Sequence, residues 1–232
     1  VPEKSSRFSH TVIPVIILII LLAVLPFASG VIPVLRFTKE RIEVYVKGGS
    51  VEVIAYYCYE NPHPVPVIQG MRVPFPVDSA HPGPWKISIE RVEASGEAAR
   101  PLCDGVVGAG EAGPIEETPG AFTFGAVDWR FSSSGDALFS LWLASKEKAV
   151  IKVVYAQEAL ENNASYILVT TKPWGAPLEH GVYRLYQRGI SVVSSNYSLR
   201  QYGRDVLGFE KAEFMPEEDW RFEWSSGALA HK

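Results

Sequence analysis

Two neighbouring stretches of apolar and polar alternation constrain this chain more than any other feature. Arg41-Ile42-Glu43-Val44-Tyr45-Val46-Lys47 and Val51-Glu52-Val53-Ile54-Ala55-Tyr56-Tyr57 stand on either side of Gly48-Gly49-Ser50. A period of two is that of a strand with one face buried, and a short glycine-rich link lets two such strands turn back on each other. The pair therefore predicts a β-hairpin in which Ile42, Val44 and Val46 share a face with Val51, Val53, Ala55 and Tyr57. Related strand patterns recur at Trp85–Val92, Phe122–Phe124, Val127–Phe131, Ala137–Leu143, Val150–Tyr155, Tyr166–Thr171, Val182–Tyr186, Ile190–Val193 and Trp220–Trp224. Many short strands joined by Gly/Pro turns are the pattern of an all-β, antiparallel β-sandwich, here expected over residues 37–228. Gln157–Asn163 is the one stretch of helical composition, and Asn162-Asn163 limits it to about two turns.

Residues 94–120 break the pattern with six glycines, three prolines and no aromatic residue. A structureless segment of that length is unusual inside a compact domain, so it is read as a functional loop or a divide between two lobes. Cys103 lies within it, and Cys58 ends the second strand of the hairpin. With only two cysteines in the chain, a Cys58–Cys103 disulfide is the expectation if the compartment is oxidising. Such a bridge would pin the loop to the sheet.

Ahead of the hairpin, beyond a short flank over residues 1–10, the run Thr11–Leu35 carries no charged side chain. At about 1.5 Å per residue in a helix, it is long enough for a hydrocarbon core of roughly 30 Å. The expectation is a transmembrane anchor over 11–35, with a cleaved signal peptide ending at Ala28-Ser29-Gly30 as the alternative. Either reading makes the chain a single-pass membrane or exported protein with its C-terminal domain extracytoplasmic. Without Glu3, Lys4 and Arg7, the 22 basic and 26 acidic side chains fall to 20 and 25. That acidic balance argues against nucleic acid as a partner. Asn163-Ala164-Ser165 and Asn196-Tyr197-Ser198 match the glycosylation acceptor pattern.

No catalytic, metal-binding or cofactor signature is visible. Copper would need two His and a Cys gathered at one site, yet Cys103 has no His or Met close behind it. Ser132-Ser133-Ser134-Gly135-Asp136 lacks the Gly-x-Ser-x-Gly elbow of a hydrolase and suits a turn, and Glu217-Glu218-Asp219 also reads as a solvated turn. The proline-studded passages 61–66 and 71–76 must be loops or sheet edges, because proline cannot donate to a ladder. Val65, Val67, Ile68, Met71, Val73 and Phe75 crowd among those prolines and are expected to supply a partner-binding edge. Trp174, in the rigid loop Thr171–Pro177, is a further partner-binding residue on this reading. The functional expectation is a membrane-anchored binding or structural subunit of a membrane or cell-surface complex, with enzymatic activity left open, since the absence of a motif does not exclude it. A pilin-like filament subunit and an exported hydrolase or carbohydrate-binding protein are the alternatives.

Overall fold

The structure is a computed structural model that describes residues 34–93, 103 and 123–226. Its strands are β1 (Arg36–Lys47), β2 (Ser50–Glu60), β3 (Val67–Val73), β4 (Lys86–Glu93), β5 (Thr123–Ala126), β6 (Trp129–Phe131) and β7 (Ala137–Leu143). They continue with β8 (Lys148–Glu158), β9 (Asn163–Tyr166), β10 (Leu178–Tyr186), β11 (Ile190–Ser195), β12 (Arg200–Gly203), β13 (Val206–Phe214) and β14 (Trp220–Ser226).

The hairpin forms as its alternation predicts. Ile42 faces Ala55, Val44 faces Val53 and Val46 faces Val51, all of them buried. Gly48 closes the turn at φ 61°, in the left-handed region that glycine enters without a Cβ penalty. Around this hairpin an eight-stranded sheet is laid out in the order β12-β13-β10-β1-β2-β8-β4-β5, and two three-stranded sheets, β11-β14-β9 and β3-β7-β6, accompany it. The main apolar core draws on all three sheets, with Ile42, Val44 and Val53 from the large one, Phe222 and Trp220 from the second, and Met71 and Leu141 from the third.

The expected antiparallel sandwich is corrected to three open sheets, and the large one contains a parallel pair. β1 runs parallel to β10, with Ile42 opposite Tyr183 and Val44 opposite Leu185. Alternation decides which side chains share a face but says nothing of which strand lies alongside, so this pairing has no local signature. Residues on the second face of β1 are covered as well, since Arg41 and Glu43 are 2% and 1% exposed. Strands from both sides of the 94–122 segment share the large sheet, where β4 pairs with β5. That segment lies outside the described residues except for Cys103.

The expected membrane anchor is also corrected. Among the described residues no helix is long and apolar enough to cross a membrane, and residues 11–33 lie outside them. The last two residues of the uncharged run belong to the β domain instead. The Val34 and Leu35 amides both donate to Gln69 Oε1 at 2.9 Å, and Leu35 is buried in the main core. The single-pass, extracytoplasmic placement and the membrane-complex subunit built on it are therefore without structural support. The helix expected at Gln157–Asn163 is corrected too: β8 runs through Glu158, Asn162 turns the chain at φ 54°, and Asn163 opens β9. Likewise Tyr166–Thr171 does not form one strand, because β9 ends at Tyr166 and a 3-10 helix spans Val169–Trp174.

Candidate functional site

The outer face of the sheet β11-β14-β9 is built around a short amphipathic strand. In β14, Trp220, Phe222 and Trp224 are buried while Arg221 and Glu223 are exposed, the alternation expected of a half-buried strand. Ladder pairing sets Arg221 opposite Ser165 and Glu223 opposite Asn163, so these four residues share the outer face. On the other side, a bulge between Val192 and Ser194 brings Ser194 opposite Glu223. That outer face floors a cleft of about 640 Å3 whose opposite wall is the segment Pro76–His81.

The wall is held by polar side chains at fixed positions. Asp78 Oδ1 accepts the amides of Ala80 and His81 and meets His81 Nδ1, each at 2.8 Å. These bonds, His81 foremost, hold the Asp78 carboxyl below the usual carboxylate range. His81 Nε2 lies 2.9 Å from the Asn163 carbonyl oxygen, which ties the wall to the floor. From below, the buried Gln157 amide donates to the carbonyls of Pro76 and Pro82, the latter at 2.8 Å. One end of the cleft is built in the same way. Asn196 accepts the Arg221 amide and donates to the Asp219 carbonyl, both at 2.8 Å. Asp219 Oδ1 accepts the Leu168 and Val169 amides at 2.9 and 3.2 Å, and so anchors the start of the 3-10 helix. Glu218 meets Arg221 Nη2 at 2.8 Å, and hydrogen bonds from Asn196 and Arg221 keep its carboxyl below the ordinary range.

A second, far smaller cavity of about 60 Å3 lies among Phe37, Tyr57, Tyr155, Tyr166 and Trp174. Its polar groups face one another: the Tyr57 and Tyr166 hydroxyls are 2.5 Å apart, and the Tyr183 hydroxyl nearby donates to Glu40 Oε1. Burial pushes the Glu40 carboxyl up to about 7, against a smaller lowering by the Tyr183 hydrogen bond. Gly181 lies beside Glu40 in the β1–β10 pair, and a Cβ there would come within 2.6 Å of the Tyr183 hydroxyl. The bare backbone at Gly181 therefore makes this contact possible. The chamber has room for water but not for a ligand of any size.

The residues expected to form a partner edge divide between core and surface. Val67, Met71, Val73 and Phe75 are buried in the main core, whereas Val65 and Ile68 are exposed. β3 is indeed a sheet edge, but it turns alternate side chains inward against β7. Trp174 is partly buried, packing on Phe37 and Tyr59 at ring separations of 5.7 and 5.3 Å. Cys58 and Cys103 enter one small buried cluster with Tyr56, Val92, Val150 and Val182. Ser132 and Asp136 close a turn on each other, with the Asp136 amide donating to Ser132 Oγ at 3.0 Å. Among the described residues no group of three or more His, Cys, Asp or Glu could hold a metal ion.

The cleft has no local sequence signature, because its walls are far apart in the chain. The usable signal was Arg221 and Glu223 standing between Trp220, Phe222 and Trp224, which marks one charged and one buried face.

No protein-family model matches the sequence, and no curated protein matches it. Among solved structures, the chain is similar to a candidate nutrient binding protein from Legionella pneumophila subsp. pneumophila strain Philadelphia 1. The TM-score is 0.51 at 12% identity, over 83% of this chain and 67% of that one. Looser likenesses are to an M1 zinc metallopeptidase from Deinococcus radiodurans (TM-score 0.39, 7% identity, 82% of this chain and 42% of that one) and to yeast LTA4 hydrolase (TM-score 0.42, 7% identity, 83% and 29%). The first likeness concerns the fold alone, and the other two are too slight to bear on it.

Proposed function

We propose that this chain is a binding domain that holds a small hydrophilic ligand in the cleft between the outer face of β9-β14-β11 and the Pro76–His81 wall. One observation carries the reading: a cleft of about 640 Å3 combines charges of both signs with a wall tied to its floor by the His81–Asn163 contact and an end fixed by the Asn196–Arg221 hydrogen bond. That volume falls in the range of small-molecule sites, and fixed polar groups are what orient a ligand. The polar lining favours a ligand rich in hydrogen-bonding groups. The Legionella protein of similar fold is itself named a candidate nutrient binding protein.

The test is a thermal-shift screen of amino acids, short peptides, sugars and organic acids on the native chain and on the double variant Arg221→Ala/Glu223→Gln. Ligand at about a hundred times its Kd stabilises by about 2.7 kcal/mol, a rise of several degrees in a domain of this size. The expected result is such a rise in the native chain and its loss in the double variant. Equal shifts in both proteins, or none in either, would refute the proposal.

A further inference from the structure

We infer that the ligand of this cleft is a short extended peptide that pairs its backbone with the outer edge of β9, an inference that rests on the binding role proposed above. Among the described residues β9 pairs with β14 alone and is an edge of its sheet. The direction of its backbone groups follows from one hydrogen bond, in which the Trp224 amide donates to the Asn162 carbonyl at 3.0 Å. Residues 162, 164 and 166 then turn their backbone toward β14, and alternation turns Asn163 and Ser165 away from it, toward the wall. The contact of His81 Nε2 with the Asn163 carbonyl, made from the wall side, agrees with that direction. It also occupies the Asn163 carbonyl, so among the described residues the Ser165 amide and carbonyl are the pair left to receive an added strand. A stretch of only two or three peptide residues fits against so short an edge.

The surroundings suit a peptide better than a sugar. Phe222 is the one Phe, Tyr or Trp in the lining, and it is 2% exposed, so no open ring face is offered for a sugar to stack on. Val77, 56% exposed, and Ile167 offer apolar contacts for the alternate side chains of an added strand. Glu223 and Arg221, whose Nη2 is also paired with Glu218, stand two positions apart on β14 and are directed to the same face, an arrangement complementary to a chain carrying both an ammonium and a carboxylate group.

The experiment titrates the 15N-labelled chain with tetraalanine, with its analogue N-methylated at alternate amides, and with maltotriose, following backbone amide signals. Tetraalanine is expected to shift the Ser165 amide, and N-methylation to weaken binding by about tenfold or more as pairing bonds are lost. Ser165→Pro should weaken tetraalanine to a similar degree. Its missing N–H points away from β14, so the ladder survives, as unchanged Trp220 and Phe222 signals would show. If Ser165→Pro fails to fold, the N-methylated peptide decides alone. Tetraalanine binding that ignores N-methylation would overturn the pairing. Maltotriose binding without tetraalanine binding would overturn the peptide inference while leaving the binding cleft intact, and silence from all three would remove both.

Discussion

Glu40→Gln is the substitution whose effect follows most directly from the structure. Glu40 is 3% exposed, accepts a hydrogen bond from Tyr183, and has its carboxyl raised by burial from 4.5 to about 7. A folded-state value above the unfolded one means that folding takes up a proton between the two. The stabilisation from the neutral carboxyl is fully present below about pH 4.5 and is lost as pH rises through about 7. At 1.36 kcal/mol per unit, a rise of about 2.5 units amounts to about 3 kcal/mol between about pH 4.5 and 8. Glutamine keeps an acceptor for Tyr183 but carries no charge at any pH, so that dependence should vanish. Urea unfolding of both proteins at several pH values provides the assay, and the difference between the two curves cancels groups common to both. The native chain should lose about 3 kcal/mol more than Glu40→Gln across the window. Parallel curves would refute the claim that an ionised Glu40 is paid for by the fold.

Removing the Asp219 carboxylate should cost about 1–3 kcal/mol by denaturant unfolding, because the Leu168 and Val169 amides lose their acceptor. Gly208→Ala should destabilise by about 2 kcal/mol or more, since its Cβ would stand 2.1 Å from the Tyr183 carbonyl oxygen. Gly70→Ala, with open space around the new methyl group, is the control and should change the unfolding midpoint little. Phe75→Ala should cost about 3–5 kcal/mol, as the ring is buried and packs edge-on against Tyr155 at 5.0 Å. A small change there would return Phe75 to the surface role expected from sequence. We also propose that Cys58 and Cys103, gathered in one buried cluster, form a disulfide under oxidising conditions. Intact mass without reductant should then be lower by the two thiol hydrogens, whereas two thiols alkylated after denaturation without reductant would overturn it.

The sequence by itself determined the local elements wherever one strand face had to be buried. The β1–β2 hairpin was legible because alternation and the Gly48 turn agree, and β14 was legible because three aromatics alternate with Arg221 and Glu223. β12 and β13 were not, since Gly208 interrupts the apolar pattern and Glu210-Lys211 breaks it again. The prolines of 61–66 and 71–76 are compatible with a sheet edge, which β3 is, but they do not reveal that this edge strand sends Val67, Met71 and Val73 inward. Only the tertiary structure decided that β1 lies parallel to β10, that Leu35 belongs to the core, and that the turn at Asp78 faces the outer side of β9 and β14. The physical reason is the same in each case. Periodicity reports whether a residue will be covered, because burial acts on each side chain as it stands in its strand. It does not report what covers that residue, because partners distant in sequence are chosen by how the three sheets pack together.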